Sequence, residues 1–216
     1  MAAQDAGAPS SEGTALPRRS LARILEVPSG FVLAGGLSRR MGRDKGLLPY
    51  HGSTLVAHVA ARLKEALGPA AGLAIVGHPD RYRELGYPVY ADLLADCGPL
   101  GGIVTALHVT KSDWNLIVAC DMPVLSPDNL KRLAQAATKS PASCIAAGGS
   151  AANLEPLCAA YHRRCLPILE RALREKRFKM MDLLAELGAQ PVLFPPEVLV
   201  NVNTPEQWKD FERQPQ

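Results

Sequence analysis

The sequence predicts an α/β protein with a mostly parallel sheet covered by helices on both faces. Two observations carry this. Short apolar runs alternate with segments of helical periodicity through the first two thirds of the chain, the pattern of βαβ units. The 216 residues are 47% hydrophobic and 21% charged, an ordinary globular balance with enough chain for one well-built core.

The elements follow in order. Residues 1–26 are rich in Ala, Ser, Gly and Pro, without an apolar run long enough for a secretion signal, and are expected to be a flexible extension. Residues 27–216 are expected to form one domain. Phe31-Val32-Leu33 is a buried strand, followed by a loop to Gly46. Leu47 to Tyr50 is extended, and His51-Gly52 turns it. Ser53 or Thr54 caps a helix whose apolar set is Leu55, Val56, Val59, Ala60, Leu63, Ala66 and Leu67, and Gly68-Pro69 stops it. Leu73 to Val76 is a second strand, residues 80–85 a short polar helix, and Pro88 to Tyr90 a third strand ending near Asp92. Gly98-Pro99 opens a helix to His108, with Pro99 in its first turn. Trp114 to Cys120 is the fourth strand, delivering Asp121 at its C-terminal end, and Ser126-Pro127 starts a helix carrying Leu130, Leu133 and Ala137.

The last third is more mixed. Residues 142–147 and 157–161 read as strands. Residues 163–175 and 178–187 read as helices, the first disturbed by Pro167. Residues 198–202 read as a late strand, and Thr204-Pro205-Glu206-Gln207 starts a final helix.

Charge and cysteines exclude several classes. A formal charge of +3 is too small for bulk nucleic-acid binding, so any basic function is local. No run reaches the length of a membrane span. The five cysteines form no C-x-x-C and no zinc spacing, and are expected to be reduced, buried thiols in a cytoplasmic protein.

In an open α/β sheet, ligands bind beyond the C-terminal strand ends. Three features collect there. L-A-G-G-L-S-R-R-M-G-R-D-K-G, residues 33–46, combines four glycines with Arg39, Arg40, Arg43 and Lys45. Gly35 and Gly36 let the backbone approach a ligand, while the cations suit phosphate oxygens. The loop lacks G-K-[ST] and is not G-x-G-x-x-G. A solvated basic loop remains the alternative. Asp121 could hold Mg²⁺ against phosphate oxygens, or serve only as a turn residue, and the same choice applies to Asp92. Asn201 and Asn203 flank Val202, so alternation puts both on one face toward a ligand, unless both only bond the local turn. The five histidines show no base–nucleophile spacing.

The loop closely resembles the signature of the molybdenum cofactor guanylyltransferases. G-P-L-G-G at 98–102, C-D-M-P at 120–123, E-P-L-C-A-A-Y at 155–161 and N-V-N-T-P at 201–205 resemble later motifs of that family, in the same order. The resemblance implies a Rossmann-like fold of the nucleotidyltransferase type. It implies transfer of GMP from GTP to molybdenum-bearing molybdopterin, with Mg²⁺ and release of pyrophosphate. It also implies molybdoenzyme maturation proteins as partners, and neither nucleic acid nor membrane.

Carried onto this chain, Leu33, Ala34, Gly35 and Gly36 would hold the guanine. Lys45 would bind the phosphates, and Arg39 with Lys45 would stabilise charge at the α-phosphate. Asp92 would lie on the nucleotide, Asp121 would bind Mg²⁺, and Asn201 and Asn203 would lie near acceptor or metal. Lys176, Arg177 and Lys179 are candidates for the pterin, or a solvated face. The chain departs from the family in two places: Arg43 alone separates Met-Gly from Asp-Lys, and Gly77 stands where members can carry a nucleotide-contacting Asn. Transfer of CMP, coupling to a sugar phosphate, or a non-catalytic nucleotide-binding adaptor are the competing functions.

Overall fold

The computed structural model of the chain describes residues 27–35, 44–94 and 96–212. The extension expected over residues 1–26 lies outside them. So do Gly36, Arg39, Arg40 and Arg43.

Seven strands form one sheet. They are β1 (Ser29–Leu33), β4 (Leu73–Val76), β5 (Val89–Tyr90), β6 (Trp114–Ala119), β7 (Cys144–Ser150), β8 (Asn153–His162) and β9 (Gln190–Leu193), in the order β5-β4-β1-β6-β8-β7-β9. β2 (Pro49–Tyr50) and β3 (Ser53–Thr54) make a separate small hairpin. β8 is antiparallel to both its neighbours, β6 and β7, while every other pairing in the large sheet is parallel. The sheet is therefore mixed, with one reversed strand in a parallel frame. The chain leaves β1 toward β4 and β5 on one side, then crosses back to lay β6 on the other. The direction of winding reverses at β1, which opens a crevice beyond the ends of β1 and β6.

Successive side chains of the strands feed two cores. Val32, Ile75, Leu116 and Val118 face α1 (Leu55–Leu67) and α4 (Pro127–Lys139) on one side, among Val56, Val59, Leu63, Leu130 and Leu133. Phe31, Leu33, Ala74, Val76 and Ile117 face α3 (Gly98–Val109), α5 (Leu166–Arg174) and α6 (Met180–Glu186) on the other. Each fully buried Leu or Ile there contributes about 1.5–3 kcal/mol relative to exposure. A short helix, α2 (Pro79–Tyr82), and a 3₁₀ turn over Arg83–Leu85 cover the expected polar helix. The caps follow the sequence reading. Thr54 accepts from the Ala57 N–H, and Gly68 closes α1 at φ +83°. Ser126 and Asn129 form a reciprocal capping box on α4.

Three expectations are corrected. Residues 198–202 are not a strand. Pro196–Val198 form a 3₁₀ turn, and the Val202 N–H donates to the Asp121 carbonyl at 3.0 Å instead of joining a ladder. The late strand is β9, which carries Pro191 and lies at the sheet edge, the position proline tolerates. Leu47 belongs to a 3₁₀ turn, Lys45–Leu47, rather than to an extended run. Pro167 leaves α5 intact because it falls in the first turn, where its missing N–H costs nothing.

A third apolar cluster joins distant parts of the chain. Trp208 and Phe211, from α7 (Pro205–Glu212), pack with Leu48, Tyr50, Leu55 and Val202. His58 lies beside it, its ring 4.6 Å from that of Tyr50 and its Nε2 3.3 Å from the Pro123 carbonyl. Burial, then Arg62, lowers its pKa below the usual 6.5. The unfolded chain takes up a proton at 6.5 that the native state resists, so stability falls as the pH drops below that value. His58→Gln is expected to flatten this part of the profile. A thermal-unfolding series from neutral to mildly acid pH that is identical for both proteins would rule His58 out as the cause.

Candidate active site

The crevice beyond β1 and β6 gathers residues far apart in sequence. Leu33 ends β1. Its carbonyl accepts the Cys120 N–H at 3.0 Å, and the Ala34 N–H donates to the Val76 carbonyl at 2.8 Å. Two of the backbone groups expected near a base are thus tied into neighbouring strands. Gly35 differs, being exposed, and among the described residues a Cβ built on it would meet nothing within 4 Å. No described residue requires a glycine there, and the missing side chain leaves the backbone accessible.

Asp44 resumes the described chain and caps the turn that carries Lys45, its carboxylate accepting the Gly46 N–H at 3.0 Å. Lys45 Nζ then stands 2.8 Å from Asp121 Oδ2 and 2.7 Å from Asn203 Oδ1. The Lys45 and Asp121 side chains are only 14% and 18% exposed, so their pairing is little screened. The second oxygen, Asp121 Oδ1, is buried with no hydrogen-bond partner among the described residues. An unpartnered buried carboxylate oxygen is costly, and a cation or its bound water would satisfy it. Among the described residues no group of three or more His, Cys, Asp or Glu could hold a metal. A single protein carboxylate fits Mg²⁺, which keeps waters and substrate oxygens, and not a metal needing an all-protein cage.

Asn201 and Asn203 reach this place by different means from strand alternation. Val202 is pinned to the Asp121 backbone, Asn203 meets Lys45, and Asn201 lies near enough to Glu155 to lower its pKa. Glu155 had no role in the sequence reading, although it opens the E-P-L-C-A-A-Y motif. Continuing the β6–β8 register, in which Val118 faces Cys158, brings Glu155 opposite Asp121. Burial, with the Asp121 charge adding, raises its pKa, while Asn201 pulls it down. Burial, reinforced by Asp121, pushes the neighbouring Cys120 thiol up to about 12, so it is no nucleophile near neutral pH. Cys120, Cys144, Cys158 and Cys165 are free, buried thiols.

Asp92 stands apart, exposed beyond the edge strand β5. It accepts the Leu94 N–H at 3.2 Å and lies 3.2 Å from the Thr105 hydroxyl on α3. A Cβ on Gly101 would sit 2.9 Å from Asp92 Oδ1, so the glycine of G-P-L-G-G admits this carboxylate against the helix. The candidates for the pterin are largely engaged elsewhere. Arg177 pairs with Glu175 and Glu186 at 2.8 Å each, and Lys179 with Asp182 at 3.0 Å, as the solvated-face alternative expects.

A lysine and a half-satisfied carboxylate meet at the reversal point of the sheet, and together with the family match over residues 30–193 they mark a nucleotidyltransferase. The matching family is the one described as the MobA-like NTP transferase domain. A probable molybdenum cofactor guanylyltransferase of Flavobacterium johnsoniae is 31% identical over 190 residues, covering 87% of this chain and 97% of the relative. Another, from Nostoc sp., is 36% identical over 185 residues, covering 82% and 87%. The solved structure of molybdopterin-guanine dinucleotide biosynthesis protein A from Archaeoglobus fulgidus shares the fold, with a TM-score of 0.68 at 24% identity, covering 84% of this chain and 95% of its own. The chain belongs to the MobA-like NTP transferase family. Among the described residues no helix is long and apolar enough to cross a membrane.

Proposed function

We propose that the protein transfers GMP from GTP to molybdenum-bearing molybdopterin in the cytoplasm, releasing pyrophosphate and handing the product to molybdoenzyme maturation proteins. The observation that carries this is the cluster of Lys45, Asp121 and Asn203, with Asp121 Oδ1 buried and unpartnered, on a chain of this family. The terminal phosphate of the acceptor attacks the α-phosphorus of GTP. One P–O bond forms as the bond to the β-phosphate oxygen breaks, and the electron pair leaves on pyrophosphate. An anionic phosphate is already a nucleophile, so no general base is required.

The protein's work is then positioning and charge neutralisation. Gly35, with Leu33, Ala34 and Gly36, receives the guanine. Lys45 binds the phosphates and, with Arg39, offsets charge growing at the α-phosphate. Asp92 stays with the nucleotide, and Asn201 and Asn203 orient the acceptor. Asp121 would hold Mg²⁺, which supplies Lewis-acid neutralisation of the phosphate oxygens when bound. Glu155, opposite Asp121, joins Asn201 in bordering the acceptor side.

Incubation with Mg²⁺, molybdenum-loaded molybdopterin and each of the four NTPs separately tests the reading. Pyrophosphate release is expected with GTP alone. Release with CTP and not GTP would make the protein a cytidylyltransferase, and binding of nucleotide without any release would make it an adaptor.

A further inference from the structure

One buried side chain outside the cluster touches both described ends of the glycine loop. Tyr82, at the end of α2, is fully buried. Its hydroxyl oxygen lies 2.7 Å from Asp44 Oδ1 and 3.1 Å from the Ala34 carbonyl oxygen. The hydroxyl has one proton, and the shorter, charge-assisted bond to Asp44 takes it. Burial, then the Asp44 carboxylate, raises the phenol pKa far above its usual 10.0, so the donor never ionises near neutral pH. Arg81 Nη1 grips the other oxygen, Asp44 Oδ2, at 2.8 Å. Asp44 therefore receives three donors: the Gly46 N–H, the Tyr82 hydroxyl and the Arg81 guanidinium. That carboxylate caps the turn that begins at Lys45.

The ring's seat is cut from two glycines. A Cβ on Gly46 would lie 2.8 Å from Tyr82 Oη, and one on Gly77 would lie 2.8 Å from Tyr82 Cε2 and 3.2 Å from the Ala34 carbonyl. The residue at 77 thus answers to Tyr82, whose ring is held against the strand end. A merely space-filling aromatic would need no hydroxyl, and a merely local cap would need neither Tyr82 nor Arg81, which come from 38 and 37 residues further along the chain.

We propose that Tyr82 is a positioning residue for the nucleotide triphosphate, acting through Asp44 to hold Lys45 Nζ where it meets Asp121 and Asn203. This rests on the reading of Lys45 as the phosphate-binding cation. Tyr82 does not touch the nucleotide. Its hydroxyl fixes the carboxylate that fixes the start of the Lys45 turn, and Arg81 does the same from the solvent side.

A double-mutant cycle tests it, with the affinity of the full chain for GTP in the presence of Mg²⁺ read by calorimetry. Tyr82→Phe is expected to weaken GTP binding about tenfold, the worth of a hydrogen bond to a charged group. Lys45→Ala weakens it at least as much. The double variant is expected to be no weaker than Lys45→Ala alone, because both changes remove the same contact. Additive losses would mean that Tyr82 only supports the fold, and unchanged affinity in Tyr82→Phe would overturn the proposal outright. If Lys45→Ala itself binds GTP normally, the reading of Lys45 fails first and the proposal with it, an outcome distinct from the other two. Should Tyr82→Phe not fold, Arg81→Gln at its half-exposed position runs the same cycle, with the same non-additivity expected and the same additivity fatal.

Discussion

Replacing Asp121 by Asn lowers turnover by at least about 10²-fold while leaving the protein folded; losses of about 10–100-fold already follow from disturbing the residues that merely support a metal ligand. Asn has the same shape and can still present an oxygen to Lys45. What it cannot supply is charge. In the native protein Oδ2 is engaged by Lys45 and Oδ1 is buried without a partner. The substitution puts an amide NH₂ at that buried position, where a donor repels any cation. Nucleotide binding, which the proposed reading assigns to Lys45 and the base contacts, should fall far less than kcat. Pyrophosphate release across a Mg²⁺ titration checks this. Near-normal turnover with an unchanged Mg²⁺ dependence would remove Asp121 from the role of cation-holding carboxylate.

Lys45→Ala has two separable effects. It weakens GTP binding about tenfold or more, since a compact cation on phosphate oxygens is lost. It also destabilises the native state, because Asp121 is left largely buried with neither oxygen paired, at about 1–3 kcal/mol for an uncompensated buried acceptor. Glu155, which senses the Asp121 charge, adds to the repulsion. The double variant Lys45→Ala/Asp121→Asn should therefore recover most of the lost melting temperature and none of the GTP affinity. Recovery of both would mean that Lys45 serves the fold rather than the phosphates; recovery of neither would mean that the pair is not the source of the instability.

The strands β1, β4 and β6 and the helices α1 and α4 were legible because each carries its own periodic signal and its own cap. β9 was not, since four residues with a central proline look like a loop until a neighbouring edge accepts them. Residues 198–202 misled for the opposite reason: an apolar alternation that resembles a strand is spent on the Asp121 backbone and the Trp208 cluster. Glu155 carried a visible signal in its motif, but only the register of β6 against β8 gives it a neighbour. Tyr82 carried none, because one aromatic in a short polar helix has no periodicity to reveal a buried hydroxyl.

By itself the sequence determined the family, the glycines and lysine of the loop, and the delivery of Asp121 to a strand end, all of which are local in the chain. The tertiary structure decided which of these meet. Lys45 pairs with Asp121 across 76 residues and with Asn203 across 158, and no local pattern records either distance. The reversal of the sheet at β1, the docking of α7 on Leu48 and Tyr50, and the seat of Tyr82 between two glycines bring those groups within 3 Å. The site is held by packing between segments, and packing between segments exists only once the chain has folded.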